Sequence, residues 1–231
     1  MASLALITAR GGSRRIKDKN IRPFLGKPIL CYSIEAALSS GLFSEVMVST
    51  DSERIAKIAE KAGAKVPFFR SKETAGDFAT TADVCLEVID AYRKQGQEFD
   101  SFCCIYPTAP FVDAAVLREA AEKLSLPGVS AVVPVVRFSF PPQRAFEIND
   151  RGFLSYRHPE CALMRSQDLT PLYHDAGQFY FLKTAAFLST KSMVPAGTQP
   201  LEREESLVQD IDNEEDWKIA EVKYRVRHPE A

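Results

Sequence analysis

The sequence has no long hydrophobic run, little net charge and few histidines. Its first apolar stretch, SLALITA, reaches a charged residue at Arg10, whereas a membrane-spanning helix needs about 20 apolar residues. The formal net charge is −2, with three histidines among 231 residues. We therefore expect no membrane span, no secretion signal and no general electrostatic attraction to nucleic acid.

The sequence also lacks the paired cysteine spacing that is typical of zinc sites. Its five cysteines are an odd number, which favours reduced thiols, and therefore a cytoplasmic protein, over a disulfide framework. Cys103 and Cys104 are neighbours in an apolar run, so on a strand their side chains would point to opposite faces. We expect these thiols to be buried in the core rather than to bind a metal.

The order of apolar segments predicts an α/β fold, with a mostly parallel, Rossmann-like sheet flanked by helices. Short apolar stretches predict strands, and apolar residues three or four apart predict helices. The predicted strands cover residues 3–8, 46–49, 102–106, 131–136 and 177–182. The predicted helices cover residues 28–41, 52–63, 81–94, 114–124 and 213–224, with Asp51 or Ser52 and Asn213 as N-terminal caps. In such sheets the loops after the parallel strands meet at one edge, where ligands bind.

One domain is predicted over residues 1–231, with a break in the alternation at residues 138–175. That segment holds paired prolines at Pro141 and Pro142 and a glycine between polar residues at Gly152. Both features disfavour a regular helix or central strand. We interpret the segment as an inserted hairpin that leaves the main sheet.

A glycine- and arginine-rich loop, ARGGSRRIKDKN at residues 9–20, directly follows the first predicted strand. Gly11 and Gly12 have no Cβ, so backbone amides can approach phosphate oxygens closely. The cationic side chains that would neutralise a triphosphate are Arg10, Arg14, Arg15, Lys17 and Lys19. The spacing matches neither a Walker A motif nor a dinucleotide fingerprint. A solvated basic turn is the alternative, but it does not account for two glycines at the end of a strand.

Two aspartates, Asp210 and Asp212, lie two residues apart in the segment LVQDID. On an extended segment they would point to the same side, where their like charges repel unless a cation lies between them. Magnesium prefers one or two carboxylates together with phosphate oxygens. The pattern therefore indicates a magnesium site, and a solvated surface pair is the alternative.

A third polar segment, RSQDLTPLYHDAGQFYF at residues 165–181, combines charged and aromatic side chains. The Arg165 guanidinium could pair with a carboxylate through two hydrogen bonds, and Gln167 could bind hydroxyls, as a sugar acid would require. The alternative is a polar loop that ends in a core strand. We interpret His174 as a structural hydrogen-bonding residue, because no serine or cysteine nucleophile is arranged with it.

These segments, in this order, resemble the CMP-sialic acid synthetase family, the cytidylyltransferases that activate nonulosonic acids. The resemblance covers nearly the whole chain and rests on ARGGSRRIKDKNI, LGKP, STD, YPTAPF, RSQDL and QDID. YPTAPF, FPPQRA and RSQDLTPLYHDAGQFYF are most similar to the family members that act on pseudaminic acid. Tyr106 stands where the sialic acid enzymes carry glutamine. The resemblance implies transfer of CMP from CTP to the anomeric hydroxyl of a nine-carbon sugar acid, with release of pyrophosphate.

The resemblance also implies the residues of the site. Those implied to bind CTP are Arg10, Gly11, Gly12, Ser13, Arg15, Lys19, Asn20, Arg70 and Thr80. Those implied to bind the sugar acid are Tyr106, Thr108, Gln143, Arg144, Arg165, Gln167 and Tyr180. Magnesium is implied on Asp210 and Asp212, and Arg10 and Lys19 are expected to stabilise the pyrophosphate. The family is typically a homodimer, in which the inserted hairpin would carry Arg144 and Arg165 toward the partner's active site.

Other functions remain open on the sequence alone. The same reaction could act on legionaminic, N-acylneuraminic or 3-deoxy-octulosonic acid. A nucleotide-sugar glycosyltransferase would also use a nucleotide-binding sheet and an Asp-x-Asp motif, but it would release no pyrophosphate from CTP and free sugar. A non-catalytic nucleotide-sensing module would bind CTP without turnover.

Overall fold

The computed structural model describes residues 2–13 and 15–229. In chain order the strands are β1 (Ser3–Thr8), β2 (Pro23–Phe24), β3 (Lys27–Pro28), β4 (Glu45–Ser49), β5 (Ser101–Ile105), β6 (Ala131–Arg137), β7 (Phe146–Ile148), β8 (Leu154–Tyr156), β9 (Tyr173–Asp175), β10 (Phe179–Lys183) and β11 (Thr198–Glu202). The helices are α1 (Ile29–Ser40), α2 (Glu53–Lys61), α3 (Lys72–Ala75), α4 (Thr81–Lys94), α5 (Ala114–Ser125), α6 (Thr184–Thr190) and α7 (Glu214–Arg227). Among the described residues, no helix has both the length and the apolar character that crossing a membrane requires. Arg14, one of the predicted loop cations, lies outside the described residues.

The main sheet has the strand order β11-β6-β10-β5-β1-β4, with β9 paired to β6. β1 is parallel to both β4 and β5, and β11 is parallel to β6. β10 runs antiparallel between β5 and β6, and β9 runs antiparallel to β6. Five of the seven strands, β1, β4, β5, β6 and β11, therefore run in one direction, so the sheet is mostly parallel and the predicted α/β fold class is confirmed.

Alternate side chains of β1 enter two hydrophobic clusters on opposite faces of the sheet. Ala5 and Ile7 pack with residues of α1, α2 and α5, whereas Leu4 and Leu6 pack with residues of α4 and α6. The neighbouring thiols of residues 103 and 104 divide between the same two clusters and are fully buried. Helices thus cover both faces, and the predicted burial of this cysteine pair is confirmed.

Side-chain caps start the helices where the sequence predicts them. Ser52 accepts the Ile55 amide at the start of α2, so it is Ser52 rather than Asp51 that caps this helix. Asn213 and Asp216 form a capping box at the start of α7, in which each side chain accepts a backbone amide of the other residue. These bonds satisfy amides that the first helical turn leaves unpaired.

Replacing Asn213 with alanine is expected to lower the free energy of unfolding by about 1 kcal/mol, because the first turn of α7 loses its side-chain acceptor. Urea denaturation followed by circular dichroism measures this loss. Lys218→Ala, at an exposed position of the same helix, is the matched control, and surface changes of this kind usually alter stability by about 0.5 kcal/mol or less. Equal losses in the two variants would contradict the capping role.

The segment at residues 138–175 differs from the prediction at its C-terminal end. β7 and β8 form a hairpin apart from the main sheet, but β9 at residues 173–175 pairs with β6. The chain then turns at Gly177, whose φ is +63°, and enters β10. Since glycine adopts this left-handed conformation without steric cost, it allows a tight turn between two sheet strands. The chain therefore rejoins the sheet before the strand predicted at residues 177–182.

A third hydrophobic cluster joins the basic loop to the C-terminal helix. It contains Ile16 from the loop, Ile211 from between the two predicted aspartates, and Trp217 from α7, none more than 2% exposed. Trp217 packs edge-on against Phe24, with 5.7 Å between the ring centroids. Because Ile16 and Ile211 share one cluster, the basic loop and the aspartate segment are held side by side.

Candidate active site

A cleft of about 540 Å³ opens at the edge of the sheet where β1 and β5 end. Its walls come from the basic loop, the segment between α3 and α4, the residues after β5, and the aspartate segment before α7. The predicted site residues that line it are Arg10, Ser13, Arg15, Lys19, Asn20, Arg70, Thr80, Tyr106, Thr108, Asp210 and Asp212. Segments from both ends of the chain therefore meet in one cleft.

The basic loop is held in shape by hydrogen bonds within it and to the end of β4. The Gly11 amide donates to Asp51 Oδ1 at 2.7 Å, and Asn20 Nδ2 donates to Arg10 O at 2.9 Å. A Cβ on Gly11 would lie 3.2 Å from Ser52 Cβ, whereas Gly12 has open space around it. The close approach at Gly11 is therefore to the protein itself, and Gly12 is the more accessible of the pair.

Lys19 and Arg15 contact the aspartate segment directly. Lys19 Nζ donates to Ile211 O at 2.5 Å and lies 3.6 Å from Asp212 Oδ1, and Arg15 Nη2 donates to the same Oδ1 at 2.7 Å. Burial lowers the pKa of Lys19, and the charges of Asp212 and Asp210 oppose that effect. A cation in such a partly desolvated place attracts an anionic ligand more strongly than a cation in bulk water.

Arg10 extends to the segment between α3 and α4. Its Nη1 donates to Asp77 Oδ1 at 3.0 Å and to Gly76 O at 3.3 Å. Asp77 lines the cleft as well, although it is not among the predicted site residues, because a single aspartate in a loop carries no local pattern. A phosphate group that binds Arg10 would have to compete with this ion pair.

Arg70 and Thr80 form part of the wall, but their side chains have protein partners. Arg70 donates from Nε to Ser49 Oγ at 3.0 Å and from Nη2 to Ser49 O at 2.9 Å. Burial lowers the pKa of Arg70, and the charges of Asp51 and Glu87 oppose that effect. The Thr80 hydroxyl donates to the Asp83 carboxylate at the start of α4. Both residues therefore contribute to the shape of the cleft.

Asp210 and Asp212 line the same cleft, as an alternating extended segment predicts. Burial raises the pKa of Asp210, the charge of Asp212 raises it further, and Lys19 lowers it. A divalent cation held by the two carboxylates would offset both unfavourable effects, and Mg²⁺ prefers such oxygen ligands. Within residues 2–13 and 15–229, no group of three or more histidine, cysteine, aspartate or glutamate side chains is placed to hold a metal. The two carboxylates are ligands of the kind that Mg²⁺ prefers, and an ion held there would take its other ligands from substrate and water.

Gly177, predicted only as the start of a strand, lies beside Asp210. A Cβ at this position would be 3.4 Å from Asp210 Cγ. The φ of +63° further favours glycine here. The β9–β10 turn therefore passes close to the Asp210 side chain.

Tyr106 lines the cleft. The ring of Tyr180 packs edge to face against the ring of Tyr106, with 5.8 Å between the centroids. The Tyr180 hydroxyl donates to Asp175 Oδ2. Burial raises the pKa of both tyrosines, so they act as neutral hydrogen-bonding groups.

Four predicted sugar-site residues lie away from the cleft, on the segment between β6 and β9. They are Gln143, Arg144, Arg165 and Gln167. Gln143 Nε2 donates to Thr170 O at 2.8 Å, and Arg144 Nη1 donates to Ser166 Oγ at 3.4 Å. Arg165 and Gln167 are exposed. Within a single chain, none of these four side chains lines the cleft.

A family model described as Cytidylyltransferase matches residues 4–215 of the chain. The match includes every segment that lines the cleft, from the basic loop to the two aspartates. The chain therefore belongs to the cytidylyltransferase family and is a CTP-dependent nucleotidyltransferase. The predicted reaction class is confirmed against the glycosyltransferase and nucleotide-sensor alternatives.

Relatives of known function narrow the comparison. The chain is 40% identical, over the full length of both proteins, to pseudaminic acid cytidylyltransferase of Campylobacter jejuni subsp. jejuni serotype O:2. It is 34% identical to CMP-N,N'-diacetyllegionaminic acid synthase of Legionella pneumophila subsp. pneumophila, over 96% of this chain and 95% of that protein. The predicted resemblance to the nonulosonic acid cytidylyltransferases is confirmed.

Solved structures support the fold. A CMP:2-keto-3-deoxy-manno-octonic acid synthetase complexed with CTP superimposes with a TM-score of 0.68 at 16% identity, covering 99% of this chain and 100% of that one. A 4-diphosphocytidyl-2C-methyl-D-erythritol synthase from Anaerococcus prevotii gives 0.65 at 14% identity, covering 97% and 98%. At such low identity these likenesses establish the shared fold alone.

Proposed function

We propose that this enzyme transfers CMP from CTP to the anomeric hydroxyl of pseudaminic acid, a nonulosonic acid, and releases pyrophosphate. The observation that carries the proposal is the contact of Lys19 and Arg15 with the Asp210–Asp212 segment in one cleft. A magnesium-bound triphosphate requires cations for its phosphate oxygens and carboxylates for its metal ion. The choice of sugar is supported by the 40% identity to the Campylobacter protein over the full length of both chains.

In this proposal the basic loop binds the triphosphate and ribose. The residues we assign to that role are Arg10, Gly12, Ser13, Arg15, Lys19 and Asn20, whereas Gly11, whose amide donates to Asp51, would hold the loop in shape. Arg70 and Thr80 would form the wall beside the base, because both line the cleft while their side chains remain bonded to protein atoms. Binding of CTP would exchange the Arg10–Asp77 ion pair for an Arg10–phosphate pair.

Asp210 and Asp212 would hold the magnesium ion. When bound, the ion supplies positive charge next to the phosphate oxygens, where negative charge develops during transfer. The raised pKa of Asp210 is consistent with this role, since a nearby cation would favour its ionised form.

The reaction we propose is an in-line displacement at the α-phosphorus of CTP. The anomeric oxygen forms a bond to phosphorus as the bond to the pyrophosphate oxygen breaks, and the proton of the anomeric hydroxyl passes to a carboxylate of the aspartate pair or to solvent. Lys19, Arg10 and Arg15 stabilise the charge that accumulates on the departing pyrophosphate. Preorganised charges of this kind usually supply the largest part of catalysis in phosphoryl transfer.

The sugar acid would bind beside Tyr106, Thr108 and Tyr180, and residues 143–167 of a second copy would complete its pocket. The segment between β6 and β9 carries large exposed apolar side chains: Phe140, Ile148, Phe153, Leu154 and Leu163. Exposed apolar groups concentrated in one segment are typical of a subunit interface. We therefore infer a homodimer in which Gln143, Arg144, Arg165 and Gln167 serve the partner's site. The five cysteines, all among the described residues, are free thiols, which supports a cytoplasmic enzyme.

Legionaminic acid is the second candidate for the sugar, because the Legionella relative is 34% identical over nearly the whole chain. N-acylneuraminic acid is the third, because N-acylneuraminate cytidylyltransferase A of Danio rerio is 36% identical over 94% of this chain. Pyrophosphate release with a panel of purified nonulosonic acids and each of the four nucleoside triphosphates separates these possibilities. We expect release with CTP and pseudaminic acid at the highest kcat/KM. If CTP released pyrophosphate only with another sugar acid, that acid would be the substrate instead of pseudaminic acid. If no acid gave release, the proposed reaction would be refuted.

Gly177→Ala is expected to reduce activity by about tenfold, because the new Cβ would fill the space beside Asp210, 3.4 Å from its Cγ, and restrict the positions that the carboxylate can adopt. Steady-state kinetics over a range of Mg²⁺ concentrations measures this effect. Gly96→Ala, in the exposed turn between α4 and β5, is the matched control: Gly96 also has a positive φ, of +78°, but an added Cβ would meet no atom within 4 Å beyond its chain neighbours. Both variants should lose about 1 kcal/mol of stability from the left-handed conformation. Equal activity in the two variants would show that Gly177 does not influence the function of Asp210.

A further inference from the structure

Asp175, at the end of β9, contacts both halves of the proposed active site. Its Oδ1 accepts the Gly177 amide at 2.7 Å, and its Oδ2 accepts the Tyr180 hydroxyl. Gly177 lies against Asp210, and Tyr180 packs on Tyr106. One carboxylate thus connects the turn beside the proposed metal ligand to the tyrosine pair beside the proposed sugar pocket.

The hydrogen bond to Asp175 sets the direction of the tyrosine hydroxyls. An ionised carboxylate can only accept hydrogen bonds, and a tyrosine hydroxyl has a single proton to donate. Since Tyr180 gives its proton to Asp175, its oxygen can only accept from Tyr106 or from a ligand. Tyr106, whose ring packs against Tyr180, places this hydroxyl beside the wall of the cleft.

We infer that Asp175 is a positioning residue, which orients Tyr180 to accept hydrogen bonds from N–H or O–H groups of a sugar acid bound beside Tyr106 and, through the Gly177 turn, keeps Asp210 in place. This inference rests on the proposed function, because it assumes that a sugar acid binds beside the tyrosines. Asp175 itself touches neither nucleotide nor sugar in this account. Its effect is transmitted through two hydrogen bonds.

Asp175→Asn tests the effect of Asp175 on Tyr180. The amide oxygen of the asparagine can still accept the Gly177 amide, but its amide nitrogen would donate to the Tyr180 hydroxyl and so reverse the direction of that hydrogen bond. We expect the KM for the sugar acid to rise by about tenfold, the effect of one lost hydrogen bond, with the KM for CTP changed by less than about twofold. Tyr180→Phe should give the same pattern. Asp90→Asn, at an exposed position on α4, is the matched control and should keep both constants. Wild-type KM values in Asp175→Asn, or equal increases for both substrates, would overturn the inference.

Asp175→Ala tests, without any sugar acid, whether Asp175 holds Asp210 in place through the Gly177 turn. Isothermal titration calorimetry with CTP should show weaker binding in the presence of Mg²⁺, by about threefold or more, and unchanged binding when the metal is chelated. Because this measurement needs no turnover, it remains decisive even if the wild-type enzyme accepts none of the sugar acids, which would refute the proposed function instead. Unchanged affinity with Mg²⁺ would overturn the link to Asp210. If the alanine variant does not fold, the asparagine variant still decides the effect of Asp175 on Tyr180.

Discussion

Replacing Asp210 with asparagine is expected to lower kcat by about a thousandfold, because the loss of a metal-binding charge removes about 4 kcal/mol of transition-state stabilisation. Asparagine has the same shape but no negative charge, so the cleft should keep its geometry. Pyrophosphate release at saturating CTP and sugar acid measures the change, with Asp90→Asn as the control. Turnover at the wild-type rate would exclude Asp210 as a metal ligand.

The same variant separates a loss of function from a loss of folding. The pKa of Asp210 is raised in the folded protein, chiefly by burial, so the folded state binds its proton more tightly than the unfolded state does. Its contribution to stability therefore falls as the pH rises through the range above its usual pKa. At neutral pH without metal, asparagine removes this unfavourable charge, and Asp210→Asn should be at least as stable as the wild type in urea denaturation.

Lys19→Ala is expected to lower kcat/KM by more than about a hundredfold, or about 3 kcal/mol, comparable to removing one preorganised donor from an active site. Lys19 is suited to this role because its side chain is only 20% exposed and is fixed between Ile211 O and Asp212. Its ammonium group therefore stabilises developing charge with little reorganisation.

Lys17→Ala is the matched control for this prediction. Lys17 belongs to the same basic loop, but it is exposed and does not line the cleft. A general electrostatic effect of the loop would lower activity similarly in both variants and would be screened by salt. A specific role for Lys19 predicts a large loss in Lys19→Ala alone, at low and at high ionic strength.

The elements that depend on local pattern could be predicted from the sequence. The strand at Ser3–Thr8 has the bounds that its apolar run indicates, and Asn213 caps the last helix as its position suggests. Both features arise from neighbouring residues, because apolar periodicity and caps act within a few positions. The basic loop and the aspartate pair could be predicted for the same reason, since each is a continuous motif.

The features that depend on tertiary contact could not be predicted in this way. β5 is apolar on both faces, so its sequence does not indicate that β10 will pair with it in antiparallel orientation. The contacts of Asp77 with Arg10 and of Gly177 with Asp210 join segments far apart in the chain. Arg165 illustrates the opposite case, because its motif is local but its place relative to the cleft depends on a second subunit in our proposal.

The most direct test of the central claim is a crystal structure of the enzyme with CTP and Mn²⁺, which replaces Mg²⁺ and gives an anomalous signal. We predict an anomalous peak about 2.1 Å from carboxylate oxygens of Asp210 and Asp212, a distance typical of such small divalent cations, with the triphosphate against Lys19 and Arg15. A triphosphate bound away from the basic loop, or a peak remote from both aspartates, would contradict the account.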